Sequence, residues 1–155
     1  MKKTLITTIG LLFCSTSLVA EEIGSVSTTF KLVGANNRIV IEAFDDPQIS
    51  GATCYLSRAK KGGISGSLGL AEDPSDASLA CRQTGPIKLP SKVSSGKLDG
   101  KKVFRKSTSI LFKTMQVVRY YDKKRNTLVY LTYSDKLVDG SPKNSISAIP
   151  IMPWN

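Results

Sequence analysis

The chain has 155 residues, a formal charge of +10 at pH 7 and no histidine. That length bounds one domain of ordinary size once a leader is set aside. The missing histidine excludes every mechanism with a histidine base, Ser-His-Asp and Cys-His chemistry included, and removes the commonest ligand of catalytic zinc.

The first twenty residues read MKKTLITTIGLLFCSTSLVA. Lys2 and Lys3 precede an apolar run from Leu5 to Cys14, and Ala20 precedes the polar Glu21-Glu22. This is the pattern of a Sec signal peptide, too short and wrongly flanked for a membrane span. Residues 1–20 are therefore expected to be removed on export. Residues 21–155 are expected to form a single soluble domain of the periplasm, with no transmembrane segment.

Beyond the leader, strand signals dominate. Ile23 to Val33 (IGSVSTTFKLV) and Arg38 to Phe44 (RIVIEAF) flank the turn residues Gly34 to Asn37 and predict a β-hairpin. Asp45-Asp46-Pro47 ends the second strand, because proline cannot donate to a ladder. Ala52 to Ser57 and Ser78 to Gln83 are short strands carrying Cys54 and Cys81. Between them, Asp73 to Ser78 offers one helical turn, with Asp73 as N-cap and Pro74 as first residue. Residues 85–101 mix turn formers with lysines and read as an exposed, irregular connector.

Lys102 to Phe112 alternates in favour of Phe104, Thr108, Ile110 and Phe112. Lys106 interrupts that face, which predicts an edge strand or a bulge there. Met115 to Tyr121 and Thr127 to Tyr133 flank a polar connector, with Tyr120, Tyr121, Tyr130 and Tyr133 expected to touch across the pair. Ser145 to Ile149 is a last short strand before a proline-punctuated end. No internal repeat and no sustained helical period occur. The fold class expected is mainly β, an antiparallel sandwich or barrel with at most one or two short helical turns.

With Cys14 in the leader, Cys54 and Cys81 remain, and an even pair in an oxidising compartment is most simply one disulfide. The chain-entropy relation assigns a loop of that length about 3.5 kcal/mol. The two cysteines are too far apart in sequence for a Cys-x-x-Cys redox site.

The loop they bracket carries Lys60, Lys61, Gly62, Gly63, Gly66 and Gly69, then Glu72, Asp73 and Asp76. It matches neither the Walker nor the dinucleotide template, and the acidic group lacks the spacing of an EF-hand. No cofactor and no metal are expected. Carboxylate-pair hydrolysis stays formally open, with Asp45, Asp46, Glu72, Asp73 and Asp76 as its candidates.

Charge is unevenly placed. Residues 21–87 hold six Lys/Arg against eight Asp/Glu, and residues 88–143 hold fourteen against four. An exported protein rarely meets nucleic acid, so the partners available to the basic half are anionic lipid headgroups, lipopolysaccharide or an acidic protein surface.

The stretches EIGSVSTTFK, VIEAFDDP, GGISGSLGLAEDPSDASLACRQTGPI, RYYDKKRNTLVYLTYSDK and GSPKNSISAIP together resemble the CreA family, small exported proteins of Gram-negative bacteria. The resemblance covers essentially all of residues 21–155 and is most specific from Gly62 to Ile87. It implies a periplasmic location and a paired Cys54 and Cys81, and it supplies no biochemical activity.

A loop tied at both ends by cysteine is rigid enough to present residues to a partner. The candidate binding loop is therefore Lys60, Lys61, Gly62, Gly63, Gly66, Gly69, Glu72, Asp73 and Asp76, with catalytic residues unknown. The expected function is a non-enzymatic binding module for an envelope protein or another anionic envelope component. The alternative is a carboxylate-dependent hydrolase or metal-dependent enzyme acting on an envelope substrate.

Overall fold

A computed structural model describes residues 20–30, 32, 34–62, 77–107, 114–134 and 143–155. The described residues form two four-stranded antiparallel sheets, each a simple meander. The first contains β1 (Glu21–Ser27), β2 (Arg38–Asp45), β3 (Ala52–Lys60) and β4 (Ala77–Gln83). The second contains β5 (Lys101–Ser107), β6 (Thr114–Asp122), β7 (Thr127–Ser134) and β8 (Asn144–Pro150). One short helix, α1 (Ser91–Ser94), lies between them.

Alternation builds the core. On β2, Val40, Glu42 and Phe44 are buried while Ile39 and Ile41 face out, and on β3 Ala52, Cys54, Leu56 and Arg58 are buried. Leu128, Tyr130, Thr132 and Ser134 supply the buried phase of β7. The inward apolar residues of both sheets make one cluster, in which Phe44 and Phe104 stack with ring centroids 4.3 Å apart. Offset aromatic stacking of this kind adds to the area term. The fold is thus the sandwich of the two expected forms, and the disulfide joins Cys54 to Cys81 directly across β3 and β4.

The sheets meet along β4 and β8. The outward N–H groups of Leu79 and Cys81 donate to the Ser145 and Ser147 hydroxyls, at 3.3 and 2.7 Å. Side-chain oxygens thereby take the place of a neighbouring strand and blunt an edge.

Several expectations change in detail. The first strand ends at Ser27, short of Val33, because the Asn37 N–H bonds the Thr29 hydroxyl and Thr28 N–H bonds the Asn37 carbonyl, closing the hairpin early. β5 is indeed an edge strand, but its register shift falls between Lys102 and Phe104, and Lys106 turns inward. The tyrosines do not pair across β6 and β7: Tyr120 faces Val129, Tyr121 faces Leu128 and Tyr130 faces Arg119. The helical turn expected at Asp73 lies mostly outside the described residues, and Ala77 is already strand.

The largest correction concerns residues 85–101. This segment is a strap that closes one end of the sandwich. Val93 on α1 is fully buried, and Ile87, Leu89 and Leu98 pack on the same core. Burying one such side chain contributes about 1.5–3 kcal/mol. The strap begins in tight contact with the β2–β3 turn. Gly51 has φ +80°, and a Cβ there would stand 2.7 Å from the Gly85 carbonyl carbon, so only glycine fits.

The meander order gives the molecule two ends. The β2–β3 turn, the strap, the β6–β7 turn and the C-terminal residues lie at one, the strap end. The strand ends Ser27, Arg38, Lys60, Ala77, Ser107, Thr114, Ser134 and Asn144 lie at the other, the hairpin end.

Candidate functional site

Of the sequence-predicted loop, Lys60, Lys61 and Gly62 fall among the described residues. Gly63, Gly66, Gly69, Glu72, Asp73 and Asp76 lie outside them. Lys60 closes β3 opposite Arg38 and is half-buried, and Lys61 is exposed. The Gly62 N–H donates to Asn37 Oδ1 at 3.1 Å, and a Cβ at Gly62 would stand 2.0 Å from the Ala35 carbonyl oxygen. The start of the loop is therefore seated on the β1–β2 connector. A cavity of about 480 Å³ opens nearby, lined by Ile39, Ser57, Arg58, Ala77, Lys143 and Asn144.

Of the five candidate carboxylates, Asp45 and Asp46 are among the described residues, and these two do not face one another as a hydrolytic pair. Asp45 and Asp46 are consecutive, so the pleat sends them to opposite faces. Asp45 is exposed and its Oδ1 accepts the Thr53 hydroxyl at 2.6 Å. Asp46 points into the sandwich, where one Arg119 nitrogen reaches both its oxygens at 2.6 Å and the Tyr130 hydroxyl donates at 2.9 Å. Its Oδ1 also accepts the Gln48 and Ile49 N–H groups at 2.8 and 3.1 Å, and Gln48 Oε1 accepts from Arg119 at 2.8 Å. Four donor groups make five hydrogen bonds to this buried carboxylate and occupy its acceptor sites. Burial pushes the Tyr130 hydroxyl far up, helped by the Asp46 charge and by its hydrogen bond to Asp46, so it stays a neutral donor. This cluster is a lock between the sheets.

A second buried carboxylate, Glu42, was not legible as a site. It accepts from Arg58 Nε at 3.0 Å and from the Lys106 ammonium. Burial alone would raise its pKa, but the hydrogen bonds from Arg58 and Lys106, with their charges, together outweigh burial and hold it below the usual carboxylate range. One carboxylate thus receives two cations, one from β3 and one from β5.

The strongest electrostatic feature is at the strap end. The strap alternates inward Ile87, Leu89 and Val93 with outward Lys88 and Lys92, and Lys97 and Lys101 follow, all exposed. Asp99 Oδ1 accepts the Tyr121 N–H at 3.0 Å, which ties the strap to the end of β6 and brings it beside Lys123, Lys124 and Arg125. Asp122 is matched to Arg125 at 2.8 Å, and that hydrogen bond, with the Arg125 charge, holds its carboxyl below the usual range. None of the lysines named is ion-paired with a described carboxylate.

The C-terminal residues join this face. Ile151 exchanges hydrogen bonds with Asn126 of the β6–β7 turn, and the Gln83 side-chain amide exchanges two bonds of 3.0 Å with the Met152 backbone. Met152 and Trp154 are 63% and 52% exposed there. Sequence reasoning missed the strap lysines as a face. The period-two signal Ile87-Lys88-Leu89 was present, but Pro90 and Gly96 broke it up. Among the described residues no three His, Cys, Asp or Glu side chains gather as metal ligands, and no helix is long and apolar enough to cross a membrane.

Residues 23–154 match the family model described as CreA protein. The chain is 58% identical over 152 residues to Protein CreA of Escherichia coli strain K12, covering 98% of this chain and 97% of that one. The same identity and coverage hold for Protein CreA of Escherichia coli O157:H7. No solved structure matches the chain.

Proposed function

The chain belongs to the CreA family, and from that premise we propose that it is a non-enzymatic binding module of the periplasm, held by its strap end to an anionic component of the envelope. One observation carries the reading. The exposed cations Lys88, Lys92, Lys97, Lys101, Lys123 and Lys124 come from two segments distant in sequence, yet the fold gathers them at one end without matching carboxylates. Cations left unpaired on one face create a field that steers an anionic partner.

The basic half was expected to supply electrostatic attraction and the bracketed loop to supply shape. Lys60, Lys61 and Gly62 lie at the hairpin end, so the loop would instead engage a second partner or a second part of the same one.

The test is a crosslinking pull-down from the envelope fraction across a salt series. The screening length falls from about 10 Å at 0.1 M to about 3 Å at 1 M. Retention should therefore fall steeply with salt, and a Lys88→Glu, Lys92→Glu, Lys97→Glu variant should lose it at low salt. Retention that ignores both salt and charge reversal overturns the proposal. Cell fractionation checks the compartment: a chain that keeps its leader and stays in the cytosol would remove the periplasmic part.

A further inference from the structure

We infer that the strap end docks on the surface of an anionic phospholipid bilayer, with Trp154 and Met152 entering the interface between the lysines of the strap and of the β6–β7 turn. This rests on the anionic-partner reading above and names the partner.

Three observations favour a bilayer over an acidic protein. First, the cations that the strap and the β6–β7 turn hold without a described carboxylate are all lysines, and Arg82, exposed beside Met152 and Trp154, hydrogen-bonds the Cys81 carbonyl. Arginine offers a planar fork for fixed, bidentate recognition, whereas lysine is a point charge on a flexible stem and suits a fluid field of headgroups. Second, the strap's apolar side chains Ile87, Leu89 and Val93 are committed to the core, and the recess at this end, lined by Arg82, Gln83, Ile149, Met152 and Trp154, includes none of the lysines. Third, apolar anchors stand beside them. Met152 is held between the β6–β7 turn and the end of β4 by the backbone bond of Ile151 to Asn126 and by the Gln83 side-chain amide, with Trp154 two residues on. An exposed indole is the side chain that prefers the headgroup level of a membrane, with its ring in the apolar boundary and its N–H in water.

Exposed apolar residues occur at the hairpin end too, Phe30 at 84% and Leu32 at 92%. There, however, Arg38, Arg58 and Lys106 are each bound to a carboxylate. Lys60 and Lys61 there hold no described carboxylate but come from one segment, whereas the strap end gathers its lysines from two beside Met152 and Trp154.

Trp154 is the chain's single tryptophan, so its emission reports insertion without labelling. The protein, purified after export from cells expressing the full chain, is mixed with phosphatidylglycerol vesicles and, separately, phosphatidylcholine vesicles. We expect co-sedimentation and a shift of emission to shorter wavelength with the anionic vesicles alone. Lys92→Ala with Lys97→Ala should weaken that binding about 25-fold, at about fivefold for each lysine near an anionic surface. Trp154→Ala, followed by co-sedimentation, should weaken it further, and Phe30→Ser should leave it intact.

Binding to anionic vesicles with unshifted emission, and undiminished in Trp154→Ala, overturns the wedge. Binding lost in Phe30→Ser and kept in Trp154→Ala moves the docking face to the hairpin end and overturns the assignment. No binding to anionic vesicles, with salt-sensitive capture of an acidic protein, overturns the bilayer while the anionic-partner reading stands. Failure of both capture and vesicle binding ends both.

Discussion

Each end of the sandwich holds a carboxylate between the sheets, and the two are supported differently. At the strap end Asp46 is enclosed with Arg119 and Tyr130, receives two backbone N–H groups of its own turn, and has no solvent beside it. At the hairpin end Glu42 shares itself between buried Arg58 and Lys106, whose side chain keeps about a third of its surface in water. The contrast separates two tasks. A fully satisfied, dry ion pair fixes how two sheets meet, whereas a partly hydrated triad leaves electrostatic freedom toward the hairpin end. The outer surfaces reverse this order. The strap end is rigid within and carries six unpaired lysines without; the hairpin end pairs Arg38, Arg58 and Lys106, carries Lys60 and Lys61 on one segment, and leaves apolar Phe30 and Leu32 in solvent.

The sharpest way to break the comparison is to remove the dry carboxylate. Asp46→Ala strands a buried guanidinium and two turn amides, and breaking one partner of a buried pair costs about 3–5 kcal/mol. Urea unfolding should show that loss, with Tyr130→Phe losing only about 1 kcal/mol as one hydrogen bond among five. Equal, small losses in both would mean that water reaches Asp46 and that the two ends do not differ.

Cys54→Ser with Cys81→Ser comes next. The bond lies within the core between the two carboxylates, and its removal should cost about 3.5 kcal/mol through the freed loop of the unfolded chain. Both ends should weaken together, since hydrogen exchange would report one cooperative unit. Protection lost at the hairpin end alone would show that the ends unfold separately.

The fold was legible wherever alternation had a local cause. Arg38 to Phe44 and Thr127 to Tyr133 read as strands because Val40 and Phe44, and Leu128 and Tyr130, recur at the period of a half-buried sheet. Met115 to Tyr121 read as one from its β-branched and aromatic residues, though Thr114 to Arg119 are buried without a break. The disulfide followed from the even number of cysteines and the oxidising compartment expected from the leader. What escaped depends on partners distant in the chain. Glu42 in an inward phase makes sense only with Arg58 and Lys106, which lie 16 and 64 residues away. Tyr130 was expected to touch tyrosines of its own hairpin, and it bonds Asp46, 84 residues away. The strap hid its period because lysines, proline and glycine have the composition of a loop whether or not Val93 is buried. The cationic face likewise needed the fold to bring residues 88–101 beside residues 123–125.

A smaller effect distinguishes the two carboxylates by pH. The Glu42 pKa is lowered in the folded state, so its contribution is fully present above the unfolded carboxylate pKa, about 4.3, and is lost as pH falls through the lower folded value. Glu42→Gln should therefore cost about 1–3 kcal/mol at pH 7 by leaving its cations less satisfied. The gap between variant and wild type should then narrow below pH 4. A gap independent of pH would mean that Glu42 acts by shape and not by charge.

The smallest expected effect on stability falls on the residues with the largest expected effect on binding. Lys92 and Lys97 are exposed and hold no described carboxylate, so reversing both removes no ion pair of the fold. Surface changes of this kind stay within about 0.5 kcal/mol each. The apolar side of the strap, Ile87, Leu89, Val93 and Leu98, is untouched, so Lys92→Glu with Lys97→Glu should unfold at nearly the wild-type urea concentration while losing salt-sensitive retention. Val93→Ala is the converse, weakening the fold by about 1–3 kcal/mol through the cavity it leaves and keeping the charge. If charge reversal instead unfolds the protein, the lysines are structural and the face is not a docking surface. A clean crossing of the two variants, one losing stability and the other retention, would separate the inner side of the strap from its outer side.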